Sequence, residues 1–396
     1  MKRTIIIFLI SIFVYSLICS EEVYQEIEIN ELLENFIPNY EIENRFSIEG
    51  IGQGFAVAKN TGEILNITKI DNKIKIFLFN KDGEKQWERV VTESGYGLSY
   101  EISDNGSAIV ITNYANENGI NFVFDREGNK LFEKKLNDIQ LKPTPNGQFF
   151  FEEIGQMANR DKGLNLYNRS GESIPLSGFN FKNQKHIRLK FINNEDFFVY
   201  MNNELAFFNF KDGFISQKWS YQLAEGDNLY DHFKNHVQFN DKYILISTIY
   251  LTKEGSYLES TIFSLNGKVV FTDSIFYNVA RFIDTDKIVA FSRTNKGTFL
   301  KFVDLHNKTT KFINDIPQFE KRNADNPFTE VFFVDNITFY KVSRFPSDKY
   351  KFSTLLIKPD DVNQYISEYS FKKFSNKIIA FKQFIENADL VLLKRK

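Results

Sequence analysis

Four histidines, one cysteine and 51 carboxylates are what this chain has for building a reactive centre. His232 and His236 stand four apart in Asp231-His232-Phe233-Lys234-Asn235-His236. On a helical turn that spacing puts two imidazoles on one side, where they could chelate a metal. Phe233 stands where a zinc-protease helix needs glutamate. Two solvated histidines are therefore the simpler expectation, and neither a metal nor any other cofactor is assigned. His186 and His306 stand alone. The chain has no Gly-x-Ser-x-Gly nucleophile turn and no Gly-x4-Gly-Lys-Ser/Thr phosphate loop. Its single thiol, Cys19, lies at the end of an apolar leader. Two carboxylates set roughly 5 to 10 Å apart could hydrolyse a glycoside, but the sequence does not say which carboxylates meet. No catalytic residue is assigned.

The elements that would position such groups are strands. Phe (43) and Tyr (18) are abundant, and with Ile and Val they suit a pleated, half-buried surface. Ala56 to Gly62, then Glu63 to Lys69, Ile74 to Phe79 and Lys81-Asp82-Gly83, form one unit. Tyr100 to Gly106, then Ser107 to Asn113, Ile120 to Phe124 and Arg126-Glu127-Gly128, repeat it. Each reads strand, tight turn, strand, loop, strand, tight turn, strand, with glycines supplying the positive φ of hairpin turns. The second turn recurs at Gly83, Gly128, Gly171, Gly213 and Gly267, then at Asn307 and Asp360 without glycine. A four-stranded unit at this spacing of about 40 to 55 residues is that of propeller blades. Helical periodicity is confined to a short candidate, Ile29 to Phe36.

The run of Gly83…Trp87, Gly128…Phe132 and Gly267…Phe271, each glycine followed four residues later by an aromatic, resembles the quinoprotein-type and WD40-like β-propeller superfamily. Gly171 has Pro175 in place of the aromatic, and Trp219 comes two residues late after Gly213. The resemblance implies an all-β ring of about eight four-stranded blades, with seven the alternative if one unit is divided wrongly. It carries no functional motif. Quinone-dependent enzymes of this fold use a cysteine pair that the mature chain lacks, and the Ser-x-Asp-x-Gly-x-Thr-Trp box of sialidases is absent. In blade count and size the chain is most similar to the propeller lipoproteins of outer-membrane protein assembly, which implies a protein partner.

Residues 374–381 and 388–393 match the inner strands of a further blade, and the chain then stops. An N-terminal strand is expected to complete that last blade and so remove an exposed edge. Val23 to Ile29, which alternates, is the expected donor, pairing with Leu390 to Leu393.

Residues 1–20 read as a signal peptide. Lys2 and Arg3 precede the apolar run Ile5 to Ile18, whose 14 residues fall short of the roughly 20 that span a bilayer. The expected mature chain, 21–396, is one propeller domain without a later transmembrane segment, placed in the periplasm or at the cell surface. Cleavage near Glu21 is expected. A lipid anchor at Cys19 is the alternative, although Ile18 departs from the small residue that lipidation prefers. Removing Lys2 and Arg3 takes the formal net charge from −2 to about −4. No basic run exceeds three residues, so a nucleic-acid partner is not expected.

Tight turns should gather on one face of the ring, and longer connections on the other. The expected long segments are 31–52, 153–162, 224–235, 315–329 and 344–350. Loops on a rigid scaffold are where binding concentrates, and Tyr230, His232, Phe233, Arg322 and Phe328 are the expected binding residues. The reading is an exported, non-catalytic protein-binding module. The alternative is a small-molecule or glycan enzyme with carboxylates at the central channel.

Overall fold

The computed structural model describes residues 25–396 apart from 27, 72, 94–96, 116–117, 138, 155–163, 182–186, 202–203, 223–236, 241, 253–254, 276–279, 295–296, 317–330, 335–336, 345–350, 358–364, 368, 375 and 384–386. Among the described residues the chain forms one short helix and eight successive sheets. The first seven are antiparallel meanders within residues 51–93, 97–137, 139–174, 188–222, 237–275, 280–316 and 331–367. The eighth joins Ser370–Phe374, Lys377–Gln383 and Asn387–Arg395 to the N-terminal strand Tyr40–Glu49.

Buried clusters cover both faces of the first five sheets and of the eighth, which explains why their strands read as nearly continuous apolar runs rather than alternating ones. In the first sheet, Leu65, Ile67, Ile76 and Leu78 pack against Ile109, Ile111, Phe122 and Phe124 of the second. Their neighbours Ile64, Phe77 and Phe79 face the other way, against Ile379, Phe381, Leu390 and Leu392 of the eighth. The last sheet thus packs on the first. Side chains such as Ile64, Leu65 and Ile67 are wholly buried, each burial contributing about 1.5–3 kcal/mol.

The recurring glycine and aromatic join one sheet to the next. Trp87, on the outer strand of the first sheet, lies over Gly128 in the second, where a Cβ would stand 2.8 Å from the ring. Its Nε1 donates to Arg126 O at 2.6 Å. Phe132 covers Gly171, and Trp219 covers Gly267 while donating to Leu265 O at 3.1 Å. Phe271 packs with Leu305 of the sixth sheet. In each case a one-residue bulge immediately precedes the aromatic, at Gln86, Leu131, Lys218 and Val270. A bulge re-aims the side chain after it, here onto the neighbouring sheet. Trp219 comes late because its bulge sits two residues further along the strand.

Pro175 leaves the third sheet without an aromatic, and main chain substitutes for it. Ser177–Gly178 runs parallel to Phe214–Ile215 as a fifth strand of the fourth sheet. Ser177 N donates to Gly213 O at 3.0 Å and Phe179 N to Ile215 O at 2.9 Å. The displaced bulge at Lys218 leaves the start of that outer strand regular enough to accept the added strand.

The closing strand differs from the sequence expectation. Tyr40–Glu49 pairs with the last strand from Tyr40↔Arg395 to Glu49↔Asn387. The described residues of the expected donor do not pair there. Gln25–Glu26 lies parallel to Tyr365 and Ile366 on the outer edge of the seventh sheet, and the helix Ile29–Asn35 follows. Ile29, Leu32, Phe36 and Ile37 bury themselves with Leu356 of the seventh sheet and Val391 and Leu393 of the eighth. The expected long segment 31–52 is therefore helix and strand, and Tyr40 is a core residue at 4% exposure. Tyr40–Glu49 prevails because it offers a nine-pair ladder, the ion pair of Arg45 with Asp389, and Phe46. That ring stacks on Phe79 at 5.5 Å and covers Gly83 of the first sheet. One further correction concerns repeat alignment. Ala58 N bonds Glu63 O as Ser103 N bonds Ala108 O, so Glu63 corresponds to Ala108 and not to Ser107.

Candidate functional site

The first turns of successive sheets hydrogen-bond to one another. Asn60 N donates to Asp104 O at 2.7 Å, Asn105 N to Pro145 O at 3.1 Å, and Asn240 Nδ2 to Thr285 O at 2.9 Å. Asn105 Nδ2 and Ser107 Oγ both reach Asn146 O. Third turns join the same surface: Arg169 donates to Gly147 O and Ser107 O, and Arg126 pairs with Glu63. First and third turns therefore share a face, and its polar groups are largely spent on neighbouring turns.

First strands of neighbouring sheets meet, as Gly97–Ile102 does both Ile51–Val57 and Ile139–Pro143, and charges cluster there. Glu101 of the second sheet pairs with Lys142 of the third, with Gln140 Nε2 at 3.4 Å from the same carboxylate. Glu153, opposite Gln140 on the next strand, stands 3.8 Å from Arg188 of the fourth sheet. Glu101 and Lys142 keep about a quarter of their side-chain surface accessible. Desolvation is nonetheless the largest influence on both. Burial pushes the Glu101 carboxyl up from its ordinary value, with Lys142 opposing. Lys142 is held protonated, above the usual lysine range, by Glu101 and Glu153 against its own burial. Burial likewise pushes the Asp104 carboxyl up, with Lys59 and Lys190 opposing.

A third polar cluster sits at the closure. Asp389, 6% exposed, accepts from Arg45 at 3.1 and 2.7 Å and from Tyr369 Oη at 2.7 Å. Burial and the bond to Asp389 push the Tyr369 hydroxyl well above the usual tyrosine range. Lys382 reaches Glu28, just before the helix, at 2.8 Å. These groups hold the N-terminal segment on the last sheet, and that is a structural task.

The crystal structure of BamB from Moraxella catarrhalis superimposes with a TM-score of 0.56 at 10% identity, over 90% of this chain and 99% of that one. The fold is a β-propeller. The β-propeller domain of the trilobed protease from Pyrococcus furiosus gives a TM-score of 0.43 at 11% identity, over 89% and 95% of the two chains. At such identities the likeness is one of fold. No protein-family model matches the sequence, and no curated protein does.

The binding residues expected from sequence, Tyr230, His232, Phe233, Arg322 and Phe328, lie outside the described residues, as do His236 and Cys19. His306 is exposed in a turn beside Asp304. What the sequence reading missed is the group Glu101, Lys142, Glu153 and Arg188. Its signal is a charge set within an otherwise apolar first strand, as in Tyr100-Glu101-Ile102 and Leu141-Lys142-Pro143. That signal is legible only once the phase of the repeat is known.

Proposed function

We propose that this chain is an exported, non-catalytic propeller that binds another protein through the loop face of the ring. The observation that carries the reading is the turn face, where Asn60, Asn105, Ser107, Arg126 and Arg169 are engaged by neighbouring turns. A face so occupied has few polar groups left for a partner, and the longer connections opposite become the recognition surface. The central carboxylates favour the same reading over a glycan enzyme. Glu101 and Glu153 are each matched by a cation from the next strand or sheet, whereas acid and base chemistry needs two carboxyls held apart and poised. The resemblance to outer-membrane assembly lipoproteins points towards a protein partner in the periplasm.

The test begins with in-cell crosslinking of the tagged full chain and identification of its partner. Titration of that purified partner against single variants then follows. Tyr230→Ala, Phe233→Ala, Arg322→Ala and Phe328→Ala should weaken binding by about tenfold or more, since buried aromatics and Arg dominate interfaces. Glu127→Ala and Lys268→Ala, in third turns, should leave it unchanged. A partner lost only on the turn substitutions reverses the face assignment. Mass spectrometry of the exported protein should find an N-terminus near Glu21 or a lipidated Cys19, and an intact Met1 in the cytoplasm would remove export from the proposal.

A further inference from the structure

The glycine-aromatic joint between the fourth and fifth sheets is also a place where the chain can react with itself. Asparagine precedes glycine at Asn105-Gly106, Asn118-Gly119, Asn146-Gly147 and Asn266-Gly267. In such a pair the glycine nitrogen can attack the asparagine side-chain carbonyl, because no Cβ on the glycine hinders the approach. The attack requires the peptide between the two residues to rotate, so hydrogen bonds that fix this peptide suppress it.

Three of the pairs are fixed by more than their own turn. Asn118 and Gly119 have ladder partners on both sides, Asn137 and Ala115 for the first, Leu136 and Tyr114 for the second. Asn105 donates from N to Pro145 O and from Nδ2 to Asn146 O, both at 3.1 Å. Asn146 O also accepts from Ser107 Oγ at 2.8 Å, and Gly147 O accepts from Arg169 at 3.1 Å. Gly106 and Gly147 are buried, so turning either peptide breaks contacts between sheets. Asn266 is different. It is exposed on a third turn, and among the described residues its side chain bonds only Ser264 and Lys268 of that turn. Gly267 N is held by Ser264 O at 2.9 Å, so opening one turn frees the nucleophile.

That same turn seats Trp219. The indole donates to Leu265 O at 3.1 Å, and a Cβ on Gly267 would stand 3.0 to 3.2 Å from its ring. Asn266 therefore lies between the two points on which the ring rests.

We propose that Asn266 is a site of spontaneous deamidation that loosens the joint between the fourth and fifth sheets. Gly267 N loses its proton and bonds to Asn266 Cγ. The Cγ–Nδ2 bond breaks, and the side-chain nitrogen leaves as ammonia. Water then opens the cyclic imide at one carbonyl or the other, which leaves isoaspartate or aspartate. No electrons are transferred. Isoaspartate routes the main chain through Cβ and Cγ, which lengthens the segment between Leu265 O and Gly267 and sets a carboxylate beside Trp219. The reaction needs no partner, so it stands or falls independently of the protein-binding reading.

The test follows the full chain through prolonged incubation at mildly alkaline pH, with peptide mapping by mass spectrometry. Exchange of an amide NH2 for OH should accumulate at Asn266 about tenfold or more faster than at Asn105 or Asn146, because a lone turn opens locally whereas turns tied to neighbouring sheets open with them. In the guanidinium-unfolded chain the four pairs should react at similar rates. Equal rates at Asn266, Asn105 and Asn146 in the folded chain overturn the proposal, and so does a folded ranking that survives unfolding. Asn266→Gln should lose the product, since its longer side chain must close a larger ring. The effect on the joint is read from Trp219 alone, in a Trp87→Phe chain. Its emission should move to longer wavelength in step with the isoaspartate formed, and stay fixed when Asn266→Gln is added. Emission that ignores the extent of reaction overturns the loosening of the joint.

Discussion

The contact of Trp87 with Gly128 lets the inter-sheet role of the glycine-aromatic repeat be tested in isolation. Gly128 has φ +80°, and a Cβ there would stand 2.8, 2.9 and 3.2 Å from three atoms of the indole. Gly128→Ala should thus cost twice. The left-handed backbone costs about 1–2 kcal/mol for a residue with a Cβ, and pushing the ring away costs a further 1–3 kcal/mol or so. Trp87→Ala removes a ring that is 9% exposed and a hydrogen bond of 2.6 Å. Its cost should be about 3–5 kcal/mol. Once the ring is gone, only the backbone cost of Gly128→Ala remains. In urea unfolding the double variant should therefore be more stable than the sum of the single changes by about 1–3 kcal/mol, the range seen for residues in contact. Trp87→Phe, which keeps the ring but orphans Arg126 O, should cost about 1 kcal/mol. If Gly128→Ala costs the same with and without Trp87, the glycine serves only the turn, and the inter-sheet reading of the repeat is wrong.

Two further outcomes are expected. Closure resides in Tyr40–Glu49 more than in the residues before the helix, so deleting 21–26 should change the melting temperature little. Phe46→Ala, which uncovers Gly83 and Phe79, should lose about 3–5 kcal/mol, and thermal melting of the two variants ranks them. Asp196 accepts from Lys218 at 2.7 Å and from Asn193 and Asn209 at 3.0 Å. Although burial opposes it, these bonds hold its carboxyl below the usual aspartate value. A depressed folded pKa gives stability that is complete above the unfolded value and is lost as pH falls through the folded one. Asp196→Asn should therefore be less stable than the parent by about 1 kcal/mol at pH 7. The gap should close in urea titrations repeated below the ordinary aspartate range, and a gap that persists there shows that the bonds do not depend on charge.

Sequence alone determined the class of the fold. Short apolar strands rich in β-branched and aromatic residues, Asn-Gly and Asp-Gly turns and a repeat of blade length are local properties, and local backbone preferences fix them before any long-range contact forms. The short helix at Ile29–Asn35 was legible for the same reason. Tertiary structure decided which segment closes the last sheet. By sequence Val23 to Ile29 reads as the closing strand and 31–52 as a long connection, yet it is Tyr40–Glu49 that meets the last strand while placing Phe46 over Gly83 and Arg45 on Asp389. It also decided what the glycine-aromatic spacing is for. The two residues lie in one hairpin by sequence, yet each contacts a partner about forty residues away, as Trp87 contacts Gly128. The central charges Glu101, Lys142, Glu153 and Arg188 are spread over ninety residues and converge only because the ring stacks first strand against first strand. Spacing along a chain encodes turns and strands. Proximity across a ring depends on how many sheets there are and which one meets which, and no local pattern records that.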